Sequence, residues 1–329
     1  MKSAATMRRR GANRGRRAQD RLSQRGNPLR LQREPELKII SSPREMQQVA
    51  DAARCRGERI ALIPTMGYLH EGHLSLMREG RRQASMVVAS IFVNPTQFGA
   101  NEDFSRYPRD FERDCALMRS VPVDILFAPE APDMYLSESQ TWVEVTKVTQ
   151  GLCGPLRPGH FRGVATVVNK LFNIVKPHIA LFGEKDFQQL RTIQRMVCDL
   201  NMDLEIVPMP TVREDDGLAM SSRNVYLAPE ERPTALSLSR ALAAARAALA
   251  TGIANTAAEV ANAATRVLER EPGVRIEYVE AVDAESLEPV GVVERPLVVA
   301  IAARVGKVRL IDNAVLTPEP LILAEHAAI

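Results

Sequence analysis

The sequence predicts an α/β protein: a Rossmann-like, doubly wound parallel sheet with a second, smaller α+β domain at the C-terminal side. Three observations carry this. Short apolar runs such as Arg59–Pro64 and Met86–Val93 alternate with helical segments up to about residue 212, the pattern of βαβ units whose strands are buried on both faces. Polar turns follow several of those runs directly. After Val212 the order changes to helices and then β-like segments, which describes α+β packing.

The elements follow in order. Arg59–Pro64 is the first buried strand, and a helix follows His73. Met86–Val93 is the second strand, Asp110–Ser120 a helix, Asp124–Ala128 the third strand and Trp142–Val145 a short strand candidate. Gly163–Val175 sets Val164, Val167, Val168, Leu171 and Phe172 on one helical face and stops at Pro177. Ile179–Phe182 is the fourth strand, with a helix to about Leu200, and Glu205–Val212 is the fifth. Pro229–Thr251 and Ala257–Glu269 are rich in strong helix formers. Val274–Val282, Leu297–Val305 and Val308–Asp312 are the closing strands. The expected division is a disordered basic extension at 1–36, a Rossmann-like domain at 37–211, a smaller domain at 212–318 and a tail at 319–329.

The 329 residues, 45% hydrophobic and 25% charged, suit a two-domain globular chain with a sizeable core. No apolar stretch is long enough for a membrane helix, and the N-terminus lacks the apolar core of a secretory signal. Cys55, Cys115, Cys153 and Cys198 are widely spaced, which points to free thiols in a reducing cytoplasm. The net charge of +3 averages two unlike parts: residues 1–36 carry eleven basic and three acidic side chains, leaving 32 basic and 37 acidic in the remainder. The mildly acidic body gives no nucleic-acid footprint. The arm itself reads as a solvated tail, or as residues upstream of the true start, ahead of a nucleic-acid arm or a transit peptide.

Five segments carry chemistry. Pro64–His73 leaves the first strand and opens a helix; its Gly67 and Gly72 allow close backbone approach. His70 and His73 at a helix start can donate to a phosphate, where free N–H groups and the helix dipole also favour an anion. Zinc ligation by this pair is the rival reading, and it needs a third ligand, for which His160 is the candidate. Gly183–Gln189 follows the fourth strand and brings Lys185, a point charge for phosphate oxygens, with Asp186 and Gln189. Met220–Asn224 offers two hydroxyls and the guanidinium of Arg223. Phe92–Gly99 sets Asn94 and Gln97 between aromatic residues, which suits a small hydroxy acid. Arg157–Gly163 leads into a helix in a supporting role. Together they say nucleotide-phosphate chemistry, yet neither a P-loop nor a G-x-G-x-x-G turn after a strand is present.

In order, P-T-M-G-Y-L-H-E-G-H, F-V-N-P-T-Q-F, R-P-G-H-F-R-G-V, F-G-E-K-D-F-Q-Q-L, D-G-L-A-M-S-S-R-N and the closing R-L-I-D-N resemble the pantoate–β-alanine ligase (pantothenate synthetase) family from about Leu37 to Val315. His70-x-x-His73 matches the HIGH-type signature of the nucleotidyltransferases. The resemblance implies that ATP and pantoate give pantoyl adenylate and pyrophosphate, and that β-alanine then gives pantothenate and AMP. Mg²⁺ would accompany ATP, with no protein metal ligands beyond that. It implies a cytoplasmic homodimer, with no membrane and no nucleic-acid partner, whose smaller domain closes over the site. Catalysis would fall to His70, His73, Lys185 and Arg223. Met66, Gly67, Tyr68, Leu69, Glu71 and Gly72, with both histidines, would contact ATP, as would Gly183, Glu184, Lys185, Asp186, Val212, Met220, Ser221, Ser222 and Arg223. Gln97, Gln189 and Asn94 would hold pantoate and β-alanine. The principal departure is the basic extension. A nucleotidylyltransferase that keeps the nucleotide on its product, and a non-catalytic nucleotide- or nucleic-acid-binding protein, are the other readings.

Overall fold

The computed structural model describes residues 37–100 and 102–318; the expected basic extension at 1–36 and tail at 319–329 lie outside the described residues. Twelve elements come first. They are β1 (Lys38–Ile40), α1 (Pro43–Cys55), β2 (Ile60–Thr65), α2 (Glu71–Gln83), β3 (Met86–Ile91), α3 (Phe111–Arg119), β4 (Ile125–Phe127), α4 (Ala131–Met134), α5 (His160–Val175), β5 (Ile179–Gly183), α6 (Phe187–Asp199) and β6 (Glu205–Met209). The six strands form one parallel sheet in the order β1-β4-β3-β2-β5-β6.

Burial explains the layers. Side chains of β2, β3 and β5 are almost all buried, as a sheet covered on both faces requires. On one face Met46 of α1, Val168 and Leu171 of α5 and Ile193 of α6 pack on Leu62, Val88 and Phe127. On the other, Leu74 and Met77 of α2 and Met118 of α3 pack on Ile63, Ala89 and Leu126. The chain runs outward from β2 through β3 to β4, then returns to place β5 on the opposite side of β2. The strand order therefore reverses between β2 and β5, where open parallel sheets bind ligands at their carboxyl ends.

The remaining elements are α7 (Arg232–Ala235), α8 (Ser237–Ala250), α9 (Ala257–Glu269), β7 (Val274–Asp283), β8 (Leu297–Val305) and β9 (Val308–Leu316). The three strands form an antiparallel sheet, β7-β8-β9. Leu297, Val299, Ile301, Ala303 and Val305 turn one face of β8 toward Leu238, Leu242 and Val260 of the helices. Val298 and Ala300 turn the other toward Val148, Leu152 and Phe187 of the parallel-sheet lobe. Among the described residues no helix is long and apolar enough to cross a membrane.

The structure corrects the sequence reading in several places. β1 and α1 were not expected. Trp142–Val145 is not a strand: it has no ladder partner, and the Val143 amide donates instead to Thr166 Oγ1 at 3.0 Å. β6 stops at Met209, short of Val212, while β9 continues past Asp312 to Leu316. The long helix expected over Pro229–Thr251 is split at Leu236 into α7 and α8.

Candidate active site

β2 and β3 end level, with Thr65 opposite Ile91, so the turns that follow them lie side by side. After β2 the chain must reverse sharply to start α2. It does so with Gly67 at φ 80° and Tyr68 at φ 51°, and a left-handed conformation is strained for a tyrosine. Asp114 of α3, only 1% exposed, holds the turn. Its Oδ2 accepts from the Tyr68 amide and its Oδ1 from the Leu69 amide, each at 2.7 Å. Thr65 Oγ1 accepts from the Gly67 amide at 3.1 Å and donates to Ser90 O at 2.6 Å. Sequence reasoning missed Asp114; the available signal was an acidic residue on the same helical stripe as Met118, four residues on.

His70 caps α2 and His73 sits in its first turn, their ring centroids 4.0 Å apart. His73 Nδ1 accepts from the His70 amide at 3.3 Å, which leaves the ring proton of neutral His73 on Nε2. Burial, helped by the charge of Lys185, holds His70 down at about pKa 4. Burial, with His70 and Lys185 adding to it, pushes His73 well below the ordinary imidazole range. At neutral pH both rings are therefore uncharged N–H donors rather than cations.

The turn after β3 positions Gln97. Asn94, 1% exposed, donates from Nδ2 to Gln97 Oε1 at 3.1 Å and to Gly163 O at 3.2 Å. Its Oδ1 accepts from Tyr135 Oη and Thr96 Oγ1, both at 2.9 Å. Protein groups thus take up the Asn94 amide, which orients Gln97. Among the described residues Gln97 Nε2 meets only Met66 Sδ, at 3.2 Å, a weak acceptor that leaves the donor available. His160 Nδ1 meets Gln97 O at 2.8 Å and its Nε2 faces Arg157 Nη1 at 3.0 Å. Since the arginine can only donate, Nε2 accepts and Nδ1 carries the proton. Burial, then the charge of Arg157, holds His160 at about pKa 4. Arg157 is gripped in turn by Glu102 at 2.6 and 2.5 Å. Gly163 lets α5 come this close, because a Cβ there would collide with the Thr96 carbonyl and lie 2.8 Å from Gln97 N.

The turn after β5 carries Glu184, Lys185 and Asp186. Asn313 of β9 donates to Glu184 O and Lys185 O, both at 2.9 Å, and so ties the antiparallel sheet to this turn. The adjacent glutamines divide: Gln188 is buried and bonds Cys153 N, Val148 O and Gly151 O, whereas Gln189 lines the cleft. Ser222 Oγ donates to Tyr68 O at 3.1 Å, and Ser221 Oγ accepts from the Arg223 amide at 3.2 Å. Arg223 makes a fork of bonds to Asp103 at 2.8 and 2.9 Å. Asp103, Glu102 and Asn313 are further residues that spacing along the chain did not reveal.

These turns enclose a cleft of about 220 Å³ lined by Met66, His70, His73, Gln97, Lys185 and Gln189 among others; Gly72, Gly183, Asp186, Val212, Met220, Ser221, Ser222 and Arg223 complete its wall. Gly67, Tyr68, Leu69, Glu71 and Glu184 are not in that wall: Leu69 is buried in the core, and Glu71 pairs with Arg78 on the surface. Among the described residues no three His, Cys, Asp or Glu side chains converge as a metal site, and His160, the ligand that zinc binding would need, has both ring nitrogens engaged.

A family model described as pantoate–β-alanine ligase matches residues 38–315. The chain belongs to this family. Similar curated pantothenate synthetases include that of Geobacter sulfurreducens, 56% identical over 283 residues that cover 86% of this chain and all of the relative. That of Thermotoga neapolitana is 55% identical over 280 residues, covering 85% of this chain and all of the relative. Among solved structures, the pantothenate synthetase of Thermus thermophilus is similar at TM-score 0.79 and 46% identity, over 84% of this chain and 99% of that one. The pantoate–β-alanine ligase of Francisella tularensis, solved with β,γ-ATP and β-alanine, is similar at TM-score 0.70 and 31% identity, over 84% and 97%. The span matched by the pantoate–β-alanine ligase model takes in the parallel sheet and all of the antiparallel sheet but Leu316.

Proposed function

We propose that this chain condenses pantoate with β-alanine to give pantothenate, with ATP activating the acid and AMP and pyrophosphate released. One observation carries the reading. Groups suited to a phosphate (His70, His73, Lys185, Arg223) and groups suited to a small hydroxy acid (Gln97, Gln189) line one cleft at the switch point between β2 and β5.

In the first step the pantoate carboxylate attacks the α-phosphorus of ATP and pyrophosphate leaves. In the second, the neutral amine of β-alanine attacks the acyl carbon, the bond from that carbon to the AMP oxygen breaks so that AMP leaves, and the proton of the amine passes to solvent. Gln97 and Gln189 hold pantoate, and Asn94 acts by orienting Gln97. His70 and His73 donate neutral N–H groups to the α-phosphate oxygens as charge builds there, and Lys185 supplies the positive charge. Since burial holds His73 neutral, it has no imidazolium proton to give, and its role is to stabilise charge and not to donate a proton. Met66, Gly72, Gly183 and Asp186 of the cleft wall contact ATP, Val212 the adenine, and Met220–Arg223 the triphosphate. Mg²⁺ would travel with the triphosphate and neutralise its charge. Its preferred donors are phosphate oxygens and waters, and Asp186, the one carboxylate of the cleft wall among the described residues, fits as an acceptor for those waters.

Residues 37–211 form the ATP- and pantoate-binding domain in this reading and 212–318 the domain that closes over it and keeps water from the adenylate. The family resemblance extends the proposal to a cytoplasmic homodimer. The test is product analysis with pantoate and β-alanine supplied singly and together. AMP in equal amount to pantothenate, only when both are present, is the expected result. Nucleotide retained on the product would replace the ligase reading with a transferase, and turnover with neither substrate would overturn the ligase reading as well.

A further inference from the structure

The antiparallel sheet sets three arginines in one row. Its register places Arg275 of β7 opposite Arg304 of β8, and Arg304 opposite Arg309 of β9. Residues directly opposed in an antiparallel sheet share a face with Cβ atoms about 4.5–5.5 Å apart, and like charges so placed destabilise the sheet. The row lies on the face of β8 that carries Val298 and Ala300, the face turned to the parallel-sheet lobe. There it lines a cavity of about 730 Å³, together with Lys307 of the β8–β9 turn. This cavity shares Lys185, Asp186, Ser221 and Arg223 with the cleft described above.

One carboxylate organises the row. Glu277 accepts from Arg304 Nε at 2.9 Å and from Arg309 Nε at 2.7 Å. Among the described residues Arg275 and Lys307 have no carboxylate within ion-pair distance. Of the four other acids lining the cavity, three are engaged by arginines, Glu102 by Arg157, Asp103 by Arg223 and Asp312 by Arg213, and the fourth, Asp186, adjoins Lys185, which lines the cavity too. The row and Lys307, less Glu277, therefore leave a local excess of three positive charges facing the cavity. The geometry points to an anion with several charges spread over two strand spacings, about 10 Å, and to phosphate groups, which guanidinium forks grip in pairs.

We propose that Arg275, Arg304 and Arg309, with Lys307, form a binding site for inorganic pyrophosphate, which receives the leaving group as it departs from the cleft. The assignment rests on the adenylation reading above. No bond changes at this site; it binds a product anion next to where that anion is released.

The test is calorimetric titration of pyrophosphate into the full chain, with sulfate as a control of lower charge. Arg275→Gln, Arg275→Gln/Arg304→Gln and Lys185→Ala are compared with the wild type. The row variants are expected to weaken pyrophosphate about tenfold or more, the scale for lost charge-assisted hydrogen bonds, and to relieve inhibition by added pyrophosphate. Equal binding by wild type and both row variants overturns the proposal, as does a loss confined to Lys185→Ala. Arg275→Gln removes a side chain with no ion pair, so it decides the matter if the double variant misfolds. Failure of the adenylation reading shows separately, as absence of pantoate-dependent pyrophosphate formation by the wild type, because the titration needs no turnover.

Discussion

Asp114→Asn removes one acceptor from the pair that pins the first turn of the site while keeping the side chain's shape. Whichever way the amide faces, either the Tyr68 or the Leu69 amide, each now bonded at 2.7 Å, meets an N–H₂ group instead of an oxygen. A hydrogen bond to a charged group contributes about 1.5–3 kcal/mol, and a buried donor left without a partner costs about 1–3 kcal/mol. Burial raises the Asp114 pKa against the opposing pull of these two amides, so the neutral replacement recovers part of that loss. The net expectation is a destabilisation of about 2–3 kcal/mol. Against a total of about 5–15 kcal/mol the protein stays folded, and the urea midpoint falls with an unchanged slope. Tyr68 then has less to hold it at φ 51°, and His70 and His73 shift with the turn. A displacement of about 1 Å in a reacting site costs on the order of 10²-fold in rate, so kcat should drop on that scale. Wild-type stability together with wild-type turnover would refute the whole argument. Lost stability with intact kcat would refute its functional half.

Three further outcomes are expected. Gln97→Ala should raise the KM for pantoate while leaving that for ATP near its wild-type value; a defect confined to ATP in steady-state kinetics contradicts the placement. Gly163→Ala drives a Cβ into the Thr96 carbonyl, so thermal unfolding should show a loss of about 1–3 kcal/mol, the usual cost of overpacking, and pantoate binding should weaken with it. His70 and His160 hold pKa values of about 4 in the folded protein against an ordinary value near 6.5, so the unfolded chain takes up protons first as pH falls. Their contribution is complete above about pH 6.5 and is lost toward pH 4. Urea midpoints measured across that window should decline, less steeply in His160→Asn, and equal slopes for variant and wild type would remove His160 from the account.

What the sequence displayed and what it hid divide along chain distance. The buried strands β2, β3 and β5 are continuous apolar runs, and the turns that leave them carry His70, His73, Gln97 and Lys185 within a few residues. All of that is local. β1 has three residues, two of them exposed, and stands at the edge of the sheet, so it leaves no periodic trace. Trp142–Val145 is mostly apolar, as a short strand would be, but Val143 and Val145 pack on the core beside α5, where Arg162 covers the Trp142 ring at 5.0 Å. The groups that shape the site were hidden for the same reason. Asp114 reaches Tyr68 across 46 positions, Asp103 reaches Arg223 across 120, and Asn313 reaches Lys185 across 128. No local pattern announces such pairings.

The bonds from Asn313 to the Lys185 turn have a consequence for the order of events during synthesis. A ribosome releases the parallel sheet and the turns after β2 and β5 well before β9 emerges. Until residue 313 is out and paired with β8, the carbonyls of Glu184 and Lys185 lack their partner, and Lys185 is fastened only from its own side. The nascent chain thus carries the strands beside its cleft before it can complete the fastening of the Lys185 turn.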